Sequence, residues 1–449
     1  MAFDVVVIGG GSAGLSAAAR LSAEGARVLV AEARPVLGGR ASSFSDPVTG
    51  EQVDNGQHLM LGCYHETFDF LRRIGASRNV RVQASLAVPL VDEAGRQTTL
   101  SCPSLPPPFH LLAGILRWRG VGLRDRLSAL RMVAPIRQAQ RFLRNGRGWF
   151  PASADETVKS WLIRNGQARR LREMLWEPLA LAALNQSAHE AAAPVFVRVM
   201  AQMLGPGPTD SAIAMPLKPL TEMYAEPARA FIEARGGEVR VSSPARVRIE
   251  RHQVAGVEVR GEAVEADAVI VAVPWFALAE TIVGEVGAIA TVLVAARATA
   301  ASPIVTVNLW FDREVLPAPF VGLPGRTFQW VFDKRQVFGD SAAHLSLVSS
   351  GAAGVVAESN ERLVALACNE LSAALPAARL ANLRRSLVVR ERRATFSLAP
   401  GQPERPGAIM PVEGLLLAGD WTETGLPATI EGAVLSGHRA ARLAMGTSS

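Results

Sequence analysis

Short apolar runs and amphipathic stretches alternate along the chain and predict its elements. Asp4–Ile8 is rich in β-branched residues with no polar alternation, the pattern of a buried parallel strand. Gly9-Gly10-Gly11-Ser12-Ala13-Gly14 follows, then a helix over Leu15–Glu24 and a second strand over Arg27–Ala31 that ends at Glu32. His65–Ile74 has helical spacing, and Ala87–Leu90 and Thr98–Leu100 flank Asp92-Glu93-Ala94-Gly95 as a hairpin. After the prolines of 103–108, Phe109–Trp118 reads as an apolar helix and Arg124–Arg147 as an amphipathic one. Asp155-Glu156-Thr157 caps a helix through Ile163, and helices over Arg169–Leu184 and Val195–Leu204 stop at Gly205-Pro206-Gly207-Pro208. The α/β pattern then returns, with a helix over Leu220–Ala234 and strands over Glu238–Val241, Arg246–Glu250, Val254–Arg260 and Asp267–Val273. Strands at Val305–Phe311, Thr327–Phe332 and His344–Ser349 precede a helix over Glu358–Leu375 and strands at Ser386–Thr395 and Gly414–Ala418. A last helix runs through Met445.

The two ends carry matching chemistry. In G-x-G-x-x-G, Gly9 permits the tight turn, Gly11 lets backbone approach a pyrophosphate, and Gly14 lets helix and strand pack closely. The N–H groups at Ser12 and Ala13 open a helix toward phosphate charge. Glu32, eighteen residues after Gly14, closes the second strand where an acid holds ribose hydroxyls, which favours NAD or FAD over NADP. The pair Gly38-Gly39 lets backbone lie close to a ligand, and Arg40 reaches a phosphate or flavin edge. At the other end, Gly419-Asp420 follows a strand, and Thr429-Ile430 opens a helix. Asp420 suits ribityl hydroxyls, and the helix start suits a flavin carbonyl. Both ends together point to bound FAD. Val53–His58 contains an Asn-Gly turn; it is either a plain turn or a loop that brings His58 to the reacting ring.

Composition narrows the class. The 449 residues allow two or three domains; 49% are apolar and 20% charged, as in a soluble globular protein. No run of about 18 uninterrupted apolar residues exists, so no spanning helix is expected. A first strand at residue 4 leaves no room for a signal peptide. Cys63, Cys102 and Cys368 are scattered, which fits a reducing cytoplasm and excludes a cysteine metal site. Net charge is +6, and every basic residue except Lys159, Lys218 and Lys334 is arginine. Base composition of the genome explains that bias. No module for nucleic acid accompanies it, and anionic lipid is a better use for the surplus. Phe109–Trp118, ending in Arg117-Trp118-Arg119, and the stretch with seven arginines to Arg147 are either a core helix and a solvated one, or a membrane contact.

The chain resembles the FAD-dependent amine oxidase and phytoene desaturase superfamily, most specifically in Val7–Gly14, Glu32–Arg40 and Leu417–Gly437. Within it the chain looks most like the hydroxysqualene dehydroxylases of bacterial hopanoid pathways. That closer likeness lies in Asp54–His58, Trp176–Ala180 through Asn185, Gln329–Asp333 and Gly419–Thr429. The resemblance implies an α/β fold with a discontinuous Rossmann-type FAD domain (1–60, 211–273 and 396–449). It adds a mixed-sheet substrate domain (61–104 and 274–395) and a helical insert (105–210) as a candidate membrane contact. It adds Ala33 at the ribose and phosphates, and Val247 at the adenine side. FAD is expected to be noncovalent, since no cysteine or histidine tether of the family type is evident. The implied reaction is reductive removal of the hydroxyl of a polyprenyl alcohol, at the inner face of the membrane, with pathway synthases as candidate partners. Hydroxide leaves poorly, so an acid is needed. His58 leads as acid because its titration range suits pH 7; Glu177, Tyr224 and Asp333 follow, each with a simpler structural role available. A dry pocket for the lipid is expected, with its mouth near Phe109–Trp118. Rivals are a carotenoid-type desaturase, an amine oxidase, disfavoured by the lack of lysine between Lys218 and Lys334, and a non-catalytic lipid-presenting flavoprotein.

Overall fold

A computed structural model describes residues 3–146, 148–339 and 342–446. The strand expected at Asp4–Ile8 runs over Phe3–Ile8 and is the centre of a five-stranded parallel sheet. Its order is Glu238–Arg240, Val28–Ala31, Phe3–Ile8, Ala266–Val271, Leu415–Leu417. A central strand covered on both faces has no use for polar alternation, which explains the Val-Val-Val-Ile run. The amino-terminal and carboxy-terminal strands therefore share one sheet, and the helices that follow them, Ser12–Ala23 and Ile430–Ala444, pack together. That packing is close: a Cβ on Gly437 would lie 2.2 Å from the carbonyl oxygen of Ala13. The first helix lies as close to the strand before it: a Cβ on Gly14 would lie 1.9 Å from the carbonyl oxygen of Gly9 and 3.2 Å from a Val7 methyl.

A second sheet, of four strands, spans 245–284, and a seven-stranded mixed sheet spans 87–101 and 301–396. Ile282–Gly284, which the sequence assigns to the substrate part, pairs in parallel with Val247–Ile249 of the four-stranded sheet. The helical insert, from Phe109 to Met203, returns through Ile213–Pro216, which pairs with Met60–Leu61 and Val80–Val82. Asp46, buried, joins the nucleotide side to the seven-stranded sheet by accepting from Arg385 Nε at 2.8 Å.

Two expected helices contain a wider π turn, Arg172–Trp176 and Thr221–Ala225, each followed by Glu-Pro: Glu177-Pro178 and Glu226-Pro227. Proline lacks the N–H for the i−4 carbonyl and clashes with it, so the turn before it widens. Trp118 corrects an expectation. It is buried, with Nε1 donating to Thr98 Oγ1 at 2.8 Å, so it does not reach a lipid surface. Arg147, at the end of the expected amphipathic helix, lies outside the described residues.

Gly437→Val is expected to destabilise the protein by about 1–3 kcal/mol, read as a lower denaturation midpoint, because neither helix backbone has room to move apart. Arg385 holds the Asp46 carboxyl down to about 2, below its ordinary range. The pair therefore stabilises the folded chain above about pH 4, and its contribution is lost as pH falls toward 2. Asp46→Asn should lower the melting temperature at pH 7, with the gap to wild type closing between pH 4 and 2.

Candidate active site

Every expected cofactor contact except Gly14 and Val247 lines one cleft of about 670 Å³. Gly14 lies beneath, at the helix–strand contact just described. Val247 has its side chain in the core, while Ala245 and Arg246, just before it, reach the cleft. The helix starting at Ser12 has Gly11 as its N-cap, with no side-chain cap and no acid in its first turn. Its first N–H groups therefore lack intrahelical partners and face the cleft, the arrangement that takes a phosphate. Glu32 is held by the same turn: its Oε2 accepts from Gly10 N–H at 2.7 Å and its Oε1 from Arg34 N–H at 2.8 Å.

Arg40 brings the ends of the chain together. Its guanidinium donates to Asp420 Oδ1 at 2.5 Å and to the Ala394 carbonyl at 3.0 Å, and lies 5.4 Å from the Trp275 ring centroid. Thr429 caps the last helix by accepting from Gly432 N–H at 3.1 Å, and with Ile430 it closes the far wall. These donors and the acid suit a dinucleotide, with room for it.

A second cavity, about 200 Å³, is apolar, with Leu59, Leu61, Leu86, Met174, Leu179 and Trp330 in its walls. Gln57 lines this cavity and His58, the next residue, lines the cleft, so one loop separates the two spaces. His58 Nδ1 lies 2.7 Å from the carbonyl oxygen of Gly56. A carbonyl only accepts, so Nδ1 carries a hydrogen, and in the neutral ring Nε2 is then an acceptor. Burial pushes the His58 pKa below its ordinary value. The lowered pKa weighs against the protonated ring that the expected acid role needs.

The other expected acids stand apart. Tyr224 is buried with its hydroxyl 3.0 Å from Ser12 Oγ and 2.9 Å from the carbonyl oxygens of Gly38 and Ala41, so it clamps the glycine loop beneath the cleft. Glu177 pairs with Arg172 at 3.7 Å and lines neither space, although Trp176 and Pro178 on either side line the cavity. Asp333 caps the helix Lys334–Phe338 by accepting from Arg335 N–H at 3.0 Å. Its neighbour Lys334, fully buried, turns instead toward the loop and reaches Asp54 Oδ2 at 2.9 Å and Gln57 Oε1. Tyr64 carries no role in the sequence analysis. It lines the cavity. Its scarcity, one of two tyrosines, was the available signal.

Comparison with known proteins agrees with this geometry. Residues 12–445 match the model of the flavin containing amine oxidoreductases. The chain is 33% identical to the hydroxysqualene dehydroxylase of Sinorhizobium fredii, with 98% of each chain covered. It is 31% identical to that of Rhodopseudomonas palustris, with 99% of each covered. A 15-cis-phytoene desaturase of Solanum lycopersicum is 23% identical, covering 98% of this chain and 77% of its own. Among solved structures, an oxidoreductase from Methanosarcina mazei aligns with a TM-score of 0.75 at 20% identity, covering 97% of this chain and 99% of its own. A putrescine oxidase variant aligns with a TM-score of 0.73 at 19% identity, covering 99% of each. With a family match over nearly its whole length and a cleft built at both ends, the chain belongs to the flavin containing amine oxidoreductases and is a flavin-dependent oxidoreductase.

Proposed function

We propose that the protein removes the hydroxyl of hydroxysqualene reductively, yielding squalene, with noncovalent FAD in the cleft. The observation that carries this is the meeting of a dinucleotide cleft and an apolar cavity at the single loop Gln57–His58, in a chain alike end to end to hydroxysqualene dehydroxylases. Glu32 would hold the ribose, the helix start at Ser12 and Ala13 the pyrophosphate, and Arg40, Asp420 and Thr429 the ribityl and ring end. When bound and reduced, the flavin supplies a hydride. The carbon–oxygen bond breaks, a carbon–hydrogen bond forms, and the departing hydroxide takes a proton to leave as water; the two-electron-reduced flavin would supply both the hydride and, net, that proton. The leucine, methionine and tryptophan walls keep other water away from the cation-like carbon. Cys63, raised to about 12, and Cys102, raised to about 11, both by burial, line no part of the cleft, which supports noncovalent binding.

The lipid path favours an exit through the insert. A small apolar cavity lined by Leu112, Ile115 and Ile136 shares Leu111 and Trp176 with the main one. This supports a mouth beside the helix Phe109–Arg117. Leu123, Leu127 and Leu130, three to four residues apart, are exposed nearby in sequence, as are Phe109, Arg124 and Arg131. Such a surface suits docking on an anionic bilayer at the cytoplasmic face, each arginine contributing about 1 kcal/mol near it. Among the described residues no helix is long and apolar enough to cross a membrane.

The test is anaerobic single turnover. Photoreduced protein mixed with hydroxysqualene should regain the oxidised flavin spectrum and yield squalene. Flavin bleaching by phytoene, with no reaction of the alcohol, would instead identify a desaturase. His58→Gln should keep flavin and turnover within about tenfold, whereas a loss of about 10²–10⁴ would restore His58 as the proton donor. The double variant Leu123→Ser/Leu127→Ser should bind vesicles more weakly, and wild type should bind more tightly as anionic lipid is added. Binding indifferent to both changes would remove the docking surface.

A further inference from the structure

Lys334 is buried, with Nζ 2.9 Å from Asp54 Oδ2, in contact with Gln57 Oε1, and 4.1 Å from the Phe338 ring centroid. Ammonium groups only donate, so the Gln57 atom they face must be the carbonyl oxygen, and this sets which way the amide points. The amide nitrogen is then on the other side. It is buried and has no hydrogen-bond partner among the described residues, on a side chain that lines the apolar cavity. The lining also holds the hydroxyls of Tyr64, Ser211 and Ser350, of which Ser211 is engaged with His110 Nε2 at 2.6 Å. A buried donor without an acceptor is costly and calls for an explanation.

We infer that Gln57 Nε2 is the donor that recognises the substrate's hydroxyl oxygen, and that the Lys334–Asp54 pair is the positioning device that fixes it. The identity of the alcohol rests on the dehydroxylase proposal. A C30 alcohol supplies the missing acceptor; the hydrocarbon of the same skeleton does not. Because His58, the next residue, lines the cleft, the bound hydroxyl is held at the wall that divides cleft from cavity. Once the carbon–oxygen bond has broken, the donor is unpaired again, and the hydrocarbon product is held less tightly than the alcohol it came from.

The oxidised protein separates binding from turnover. Hydroxysqualene and squalene compete for it in detergent micelles, and the bound lipid is extracted and quantified. Wild type should prefer the alcohol by about 10–100-fold. Gln57→Leu and Gln57→Glu should both reduce the preference to within about threefold while still binding squalene. The glutamate keeps a partner for Lys334 but offers no N–H, so it decides the matter if the leucine variant fails to retain flavin. A preference kept in both variants, or absent from wild type, overturns the role of Gln57. Squalene formation by the reduced wild type is scored separately. If it occurs, the dehydroxylase assignment stands whatever Gln57 does; if it does not, that assignment falls.

Discussion

A buried ion pair holds the working part of this molecule together. Lys334 and Asp54 are each about 1% exposed in their side chains. Removing two charges from water costs several kcal/mol per ion unless the remaining donors and acceptors are filled. Here they are: Asp54 also accepts from Ser43 Oγ at 2.7 Å and Leu220 N–H at 3.0 Å, while Lys334 also reaches Gln57. Three segments far apart in sequence, the hairpin 43–57, Leu220 and Lys334, are thus pinned at one point. The loop that divides the cleft from the apolar cavity starts at that point, so its position does not depend on a short glycine-bearing turn alone.

The second constraint is the meeting of the chain ends. Arg40 and Asp420 pair across the cleft, and Gly437 lets the last helix lie against the first. Glu431, raised in pKa by its burial, accepts from Thr67 N–H and Oγ1 and from Glu66 N–H, tying the last helix to His65–Arg73. Tyr64, just before that helix, lines the cavity. Through these contacts the wall of the nucleotide cleft and the wall of the lipid cavity become one piece of structure. Hydride transfer needs such fixed distances, since reacting atoms must approach to about 3–3.5 Å.

What the sequence made legible was local. The glycine turn after Val5–Ile8, Glu32, and Gly419-Asp420 before the last helix are each short patterns tied to one backbone task, and Gly9, Gly11, Glu32, Gly419 and Asp420 line one cleft. The family resemblance drawn from them agrees with the full-length match. The substrate side was poorly legible because its key contacts join distant positions. Gln57 and Lys334 are 277 residues apart, and nothing in either neighbourhood announces the other. Asp333 had the conspicuous carboxylate, yet capping a helix satisfied it locally and left its neighbour to reach the loop. His58 was legible as a loop residue, but the tie of its Nδ1 to the Gly56 carbonyl and the burial that lowers its pKa were not. The lysine argument against an amine oxidase also weakens: Lys334 does stand near the site, but as the partner of Asp54.

The central claim is that a hydride passes from cleft to cavity at Gln57–His58. The most direct measurement is the isotope content of the product after anaerobic turnover of the reduced protein in D₂O, where the flavin's transferable hydrogen exchanges with solvent. Squalene carrying a single deuterium is the expected result. Unlabelled squalene, or recovery of the alcohol alone, would contradict the account.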